Sequence, residues 1–478
     1  MPHIHFIAIA GTGMGSLAGL LKSRGYHVTG SDEGVYPPMS TALEAWGIRV
    51  VTGFRAENVL EPRPDLVVIG NAVRPDNPEA GAALEAGLPV LSFPDALYEH
   101  AIRGKHSVVV SGTHGKTTTA SMVATLLFEA GRDPSMLVGG LTVNFDGSFR
   151  DGAGPEFVVE GDEYDTVFFD KTPKFLHYHA ETLVITSLEF DHADIYRDLS
   201  HIEGEFRKLV KAMPASGKII ASSDESVGRI LGDAPCAVVR YGVEGDAPLD
   251  LRACDLCPGA GGTRFTLEAG GAKLPAFLPA HGRHNVANAL AALGALQARG
   301  VGPERAVDLL ACYRGVRRRQ EVRGKVAGVT VIDDFAHHPT AVRETLGGLR
   351  AAHPDARLIA VFEPRSNTSR RALFQQDYAR CFDGADRVVV SVVPDAPIYS
   401  ATGEVTERLS AEQLARDLEA RGVSAVALHG VDAIVQHLAA DARPGDLVVT
   451  LSNGGFDGIW DKLLTRLEGT RSEGHSAR

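Results

Sequence analysis

The sequence predicts an α/β protein of three domains, and three observations predict it. The chain has 478 residues, too many for one ordinary core, and typical domain sizes divide it into about three. Short apolar runs alternate with helical patterns along its length, the order that builds a mostly parallel sheet covered by helices. That alternation restarts near residues 105 and 315. The expected domains are therefore 1–104, 105–314 and 315–468, followed by a polar tail, 469–478, expected to be disordered.

In the first block, Ile4–Ala10 is an apolar run that ends in Gly11-Thr12-Gly13-Met14-Gly15 and feeds a helical pattern over Leu17–Ser23. His27–Gly30 is a second strand closing on Ser31 and Asp32, and Ile48–Thr52 and Leu66–Gly70 are two more. Strand, glycine turn, helix, strand and acid together form the sequence signature of a Rossmann-like nucleotide-binding unit. The full dinucleotide fingerprint would continue in glycine where this chain has Ser16. The pattern thus supports a bound nucleotide diphosphate without specifying NAD, and a simple tight turn is the competing reading.

The second block opens with the strand His106–Val110, which runs into Gly112-Thr113-His114-Gly115-Lys116-Thr117-Thr118. A strand entering a glycine turn that opens a helix points backbone N–H groups at one spot, where they and the helix N-terminus favour phosphate. Lys116 is placed to bridge terminal phosphates and Thr117 to put its hydroxyl on Mg²⁺. The spacing is a shortened P-loop variant, and the Lys-Thr pair argues against a turn that merely caps a helix. Magnesium takes hard oxygen ligands. Glu160, ending the strand Phe157–Glu160, is the best candidate, within the acidic run to Asp165. A second cluster, Glu189 to Asp194, follows the strand Leu183–Thr186, and in it His192 is a candidate ligand for a second metal. Solvated loop carboxylates are the commoner fate of any single acid. Two acidic strand ends after a P-loop shift the odds towards function. Asn285 and Asn288 stand at the start of a helical pattern, where they either cap it or read an adenine edge.

The third block has strands expected at Val329–Ile332, Leu358–Phe362, Arg387–Ser391 and Leu447–Leu451, a second Rossmann-like domain. Arg317–Arg319 and the run Asp333-Asp334-Phe335-Ala336-His337-His338-Pro339 put charge near its entrance.

Bulk composition excludes several classes. With 48 basic and 60 acidic residues the net charge is −12, which argues against a general nucleic-acid or anionic-membrane binder. No apolar run spans a bilayer, and Met1-Pro2-His3 does not begin a basic-then-apolar leader. Five scattered cysteines fit a reducing cytoplasm better than a disulfide framework. Cys254 and Cys257 have the spacing of half a zinc site, but nothing completes it.

Taken in order, the Gly112–Thr118 turn, the Glu160–Asp165 run, Asp191-His192, His284-Asn285-Val286-Ala287-Asn288, Arg317–Arg319 and Asp333–Pro339 resemble the Mur ligase family over nearly the whole chain. The resemblance implies a three-domain, ATP- and Mg²⁺-dependent amide ligase. It implies UDP-sugar binding through Gly11–Gly15, Ser31, Asp32 and Asn71, and ATP binding through Gly112–Thr118. Asn285 and Asn288 would face the adenine, and Arg319 and Asp334 would reach the nucleotide. Lys116, Glu160 and His192 would be catalytic, with Thr117, Glu160 and His192 as metal ligands. Finer strings, among them Glu163–Lys171, Phe362–Thr368 and Ser452–Phe456, are similar to the branch that joins L-alanyl-γ-D-glutamyl-meso-diaminopimelate to UDP-N-acetylmuramate in peptidoglycan recycling. Arg365 and Asn367 are then candidate peptide contacts. The alternative within the family is addition of L-alanine in peptidoglycan synthesis, where an acid usually stands at the position of Ala341. Some branches carry a carbamylated lysine after the Asp-His motif, a role not assigned to Lys208. The partners expected are these small molecules alone, with no nucleic acid and no membrane. The expected location is the cytoplasm, and a monomer or weak dimer is the expected state. A dehydrogenase, a folate polyglutamylating ligase and a non-catalytic nucleotide-binding scaffold are the rivals. They are disfavoured by Ser16, by the presence of residues 1–104, and by the intact Lys116–Thr117–Glu160–His192 set, respectively.

Overall fold

Three sheets in succession organise the chain. They were described in a computed structural model that covers all residues except 38, 72, 167, 170, 246–247, 393–395, 399–402, 404 and 476–478, and the side chains of 470–475. The first sheet is wholly parallel, in the order Arg49–Thr52, His27–Asp32, His3–Ile7, Leu66–Ile69, Val90–Ser92. The helix Thr12–Ser23 leaves the end of its central strand. Chain order reverses beside that strand, and open α/β sheets bind ligands at such a crevice, at the carboxyl ends of their strands.

The second sheet has ten strands. Its heart is parallel: Thr182–Ile185, His106–Ser111, Glu156–Gly161 and Ser135–Leu137 lie side by side. Val108, Val109, Val110, Val158 and Val159 are fully buried, as expected of strands covered by helices on both faces. One covering layer pairs the helices Lys116–Glu129 and Arg283–Ala298. Leu251–Gly259, Gly262–Ala269 and Ala272–Leu278 extend one edge as an antiparallel meander. Cys254 and Cys257 flank a register shift in the first of these strands, and both are free thiols.

The third sheet runs Glu321–Val326, Val329–Asp334, Leu447–Leu451, Leu358–Phe362, Arg387–Ser391, Ser424–Leu428. It is parallel except for its first hairpin. The helix Ile459–His475 continues through residues 469–475, where the sequence composition leads one to expect disorder. Its apolar positions Ile459, Trp460, Leu463 and Leu467 pack on the sheet, so the hydrophobic stripe carries the helix past the polar composition. Among the described residues no helix is long and apolar enough to cross a membrane.

Candidate active site

The central sheet explains how residues distant in sequence meet. Register pairs Val110 with Glu160 and Ile185 with Ser111, so three adjacent parallel strands end level with one another. Their exits are the Gly112–Gly115 turn, the acids from Glu160 and the loop to His192. Gly112 has φ +133° and a side chain there would press on Ser187 O at 2.8 Å, so the turn requires glycine. Gly115 caps the following helix at φ +79°, and its missing side chain leaves room for the Asn288 amide. Thr113 and His114 are tied to the acidic loop. The Glu189 N–H donates to the Thr113 hydroxyl at 2.9 Å, and the His114 N–H donates to Ser187 Oγ at 2.9 Å.

Lys116 folds back over its own turn. Its Nζ donates to Gly112 O at 2.7 Å and pairs with Glu163 Oε2 at 2.8 Å. Burial works to lower the Lys116 ammonium, but Glu163, Glu160 and Asp162 outweigh it and hold it above its ordinary value. Thr117 Oγ1 donates to Glu160 at 2.9–3.0 Å, and the Gly139 N–H donates to the same carboxylate at 2.7 Å. His192 sits in left-handed backbone at φ +53°. Its Nε2 is 2.8 Å from Glu163 Oε1 and its Nδ1 is 2.9 Å from Tyr164 OH. Burial would lower the imidazole, but Asp191 and Glu163 hold it up at about 9. Sequence pattern alone selects Glu160 from the acidic run. The structure adds Glu163, a nearly buried carboxylate held between Lys116 and His192. Its sequence signals are its place three residues beyond the strand end and its membership of the Glu160–Asp165 and Glu163–Lys171 strings, neither of which names its role.

The wall beyond Gly115 is built from two domains. Asn288 packs on Gly115 and its amide donates to Asn285 Oδ1 at 3.3 Å, while Asn285 donates to His281 O at 2.7 Å. Arg319 lies over the Phe335 ring at 4.7 Å. Asp334 accepts from the N–H groups of Gln320 and Ala336 at 2.7 and 2.8 Å, and burial raises its carboxyl against the pull of Arg319. The C-terminal domain docks on the acidic loop through the helix Pro339–Ala352 and the loop after Phe362: Thr340 Oγ1 donates to Glu189 Oε2 at 2.7 Å and the Ala193 N–H to Thr368 Oγ1 at 3.3 Å. Arg365 lies against Gly454, and Asn367 Oδ1 accepts from Arg370 at 3.2 Å.

A cavity of about 1010 Å³ joins the first two domains. Gly11–Met14, Asp32, Asn71 and Arg74 line one end, and Gly139, Glu160, Asp162 and Lys174 the other. Asp32 accepts from Ala10 N–H at 2.8 Å, and Asn71 Nδ2 donates to Asp165 O at 2.7 Å, across the domain boundary. Two expected members of this wall stand elsewhere. Ser31 is fully buried, its hydroxyl donating to Glu79 at 2.7 Å, because alternation along the strand turns it away from Asp32. Gly15 lies inside the helix beneath Met39, since a helix has turned its fourth residue away from the crevice.

The families "Mur ligase family, catalytic domain", "Mur ligase middle domain" and "Mur ligase, glutamate ligase domain" match residues 3–105, 110–296 and 318–454. The chain belongs to the Mur ligase family. These proteins are ATP-dependent ligases that form C–N bonds. This Mur ligase is 40% identical, over 97% of its length and 98% of the relative, to UDP-N-acetylmuramate--L-alanyl-gamma-D-glutamyl-meso-2,6-diaminoheptandioate ligase of Escherichia coli. It is 34% identical, over 99% of its length and 97% of the relative, to UDP-N-acetylmuramate--L-alanine ligase of Syntrophobacter fumaroxidans. A crystal structure of a murein peptide ligase from Psychrobacter arcticus superposes with a TM-score of 0.71 at 35% identity, covering 98% of this chain and 99% of that one.

Two oxygen donors of this Mur ligase fit a magnesium ion. Thr117 Oγ1 and the Glu160 carboxylate touch at the mouth of the turn, next to where phosphate would lie. His192 fits a metal less well as it stands, because its Nε2 is given over to Glu163. Lys208 lies on an exposed helix face, paired with Glu205 at 2.8 Å, away from this centre.

Proposed function

We propose that this Mur ligase joins L-alanyl-γ-D-glutamyl-meso-diaminopimelate to UDP-N-acetylmuramate at the expense of ATP. The observation that carries this reading is the single cavity running from the helix start at Gly11–Met14 to Glu160. A ligand with a diphosphate at one end and a carboxylate at the other spans it. The end-to-end likeness to relatives named for that reaction supports the choice of substrates.

In this reading the helix N-terminus at Gly11–Met14 takes the diphosphate through backbone N–H groups. The Gly112–Thr118 turn takes the phosphates of ATP, with Asn285 and Asn288 beside the base. The sugar acid's carboxylate displaces ADP from the terminal phosphoryl, giving an acyl phosphate. The peptide's amine then adds to the acyl carbon and inorganic phosphate leaves. Mg²⁺, held by Thr117 and Glu160, would neutralise phosphate charge. Lys116 swings from Gly112 O to the terminal phosphate, and Glu163 is the counter-ion that keeps it charged and aimed meanwhile. Arg319 and Asp334 close the site from the third domain, which keeps water from the acyl phosphate. Arg365 and Asn367 face the incoming peptide. No protein nucleophile enters this scheme, so the residues act by positioning and by charge.

Phosphate release with ATP, Mg²⁺ and UDP-N-acetylmuramate is to be compared with the tripeptide and with L-alanine as amine. Turnover with the tripeptide alone is expected. Turnover with L-alanine alone would move the chain to the synthetic branch, to which the 34% likeness of the L-alanine ligase also points.

A further inference from the structure

The cavity presents a charge imbalance. Its acidic lining residues are Asp32, Glu33, Asp76, Glu160 and Asp162, whereas only Arg74 and Lys174 among the described lining residues carry a cation. A nucleotide-linked sugar acid brings negative charge at both ends, so each end needs a positive partner. At the first-domain end the helix Thr12–Ser23 begins at Gly11 with no side-chain cap, leaving its N–H groups and dipole for phosphate, with Arg74 nearby. At the other end the P-loop lysine is already engaged by Gly112 O, Thr113 O and Glu163 and does not line the cavity.

Lys174 does line it. It opens the short 3-10 turn Lys174–Tyr178, and two backbone bonds fix its place: Lys174 N–H to Tyr164 O at 3.1 Å and Phe175 N–H to Asp162 O at 3.3 Å. Its side chain is 12% exposed, and its Nζ donates to Asp162 Oδ2 at 2.6 Å. The ammonium also lies over the Tyr164 ring, 5.8 Å from its centre, and of its three N–H donors one hydrogen bond and one ring contact leave a donor for a ligand. Asp162 thus orients the ammonium beside Glu160 without exhausting it.

We propose that Lys174 receives the carboxylate of the UDP-linked sugar acid and positions it at the Glu160 end of the cavity. This rests on the reading of the cavity given above. UDP-N-acetylmuramate and UDP-N-acetylglucosamine share the nucleotide and the sugar and differ in the carboxylate-bearing lactyl group. Calorimetric binding of both, without ATP, is the test, on the wild-type chain and on Lys174→Arg, Lys174→Gln and Lys174→Met. The wild type is expected to prefer the muramate. The Gln and Met variants are expected to lose about 10- to 100-fold of that preference, a charged hydrogen bond's worth, while holding the glucosamine compound as before. Lys174→Arg should keep most of it. Equal weakening towards both ligands would overturn the proposal, because the lysine would then serve the diphosphate or the fold. An unchanged preference in Lys174→Gln and Lys174→Met would overturn it too. A wild type that binds both equally sinks the proposal alone. A wild type that binds neither sinks the UDP-sugar reading and the proposal with it.

Discussion

The molecule contains two strand–glycine–helix turns, and they are built on opposite plans. The first, at Gly11–Gly15, has ordinary backbone at Gly11 (φ −68°) and nothing within 4 Å of where a side chain there would begin. It offers a neutral helix end, with Arg74 the cation on the same end of the cavity. The second, at Gly112–Thr118, needs left-handed backbone at Gly112 and Gly115. It is filled by its own lysine and by two carboxylates and a histidine from two neighbouring strand ends. A turn that only holds a diphosphate can rely on main-chain dipoles. A turn that must stabilise a moving phosphoryl group needs its charges arranged beforehand. In the proposed function the same supersecondary unit serves binding in one domain and chemistry in the next.

The largest expected effect breaks the second turn. Lys116→Met should lower turnover by about 10³-fold, as for loss of one preorganised charge donor, while UDP-sugar binding in the other cavity end stays near wild type. Phosphate release and calorimetry on the same preparation check both halves. If both fall together, the two turns are not separate devices. A smaller contrast compares glycines. Gly112→Ala forces a side chain into the left-handed region and against Ser187 O, and should cost about 1–3 kcal/mol of stability. Gly11→Ala meets no atom and should melt like wild type. Thermal unfolding of the pair decides, and equal melting points would contradict the difference in plan.

How much of this was legible beforehand follows from the same contrast. Local patterns exposed the strands Leu358–Phe362, Arg387–Ser391 and Leu447–Leu451 at their observed bounds, because buried parallel strands are short, continuous apolar runs. Ser135–Thr142, Gly147–Arg150 and Ala237–Val243 escaped, being glycine-bearing or partly exposed pieces without a continuous apolar run, of which only Gly147–Arg150 lies at the sheet edge. In the site, Lys116, Thr117 and Glu160 could be read from motif spacing, and the geometry brings them together. The part Glu163 plays between Lys116 and His192, the place of Lys174 and the Glu189–Thr340 contact could not. Their importance lies in register between strand ends and in the docking of one domain on another, and no local window contains either. Ser31 and Gly15 illustrate the converse error, in which a motif is extended past the point where strand or helix periodicity turns it inward.

Cross-domain docking gives the second turn a pH signature of its own. His338 is 6% exposed, caps the helix Pro339–Ala352 and stacks near His114, with ring centroids 4.8 Å apart. Burial, followed by the nearby His114, pushes its imidazole from 6.5 down to about 4. An unfolded chain takes up that proton near pH 6.5 and the folded chain only near 4. The contribution to stability is therefore complete above about 6.5 and is lost as pH falls towards 4, by at most about 1.4 kcal/mol per pH unit. His338→Asn keeps an acceptor at the helix start and removes the titration. Urea unfolding from pH 7 to 4 should show a shallower decline in the variant, and an identical slope would remove His338 from the account.

The smallest effect tests the first turn from beneath. Ser31 follows Gly30 on the strand beside the cavity, and Glu79, which accepts its hydroxyl, also takes His5 at 2.7 Å and the Asn58 amide at 2.8 Å. Those partners outweigh burial and hold the Glu79 carboxyl below its usual range. Ser31→Ala removes one donor from a carboxylate that keeps others, so the loss should be about 1 kcal/mol of stability, the ordinary worth of one buried hydrogen bond. The KM for the UDP-sugar should not move, because the hydroxyl points into the core and the proposed function gives the binding to the helix N-terminus. A raised KM at unchanged melting temperature would put Ser31 back on the cavity wall. It would also make the first turn more like the second, a site where side chains rather than backbone carry recognition.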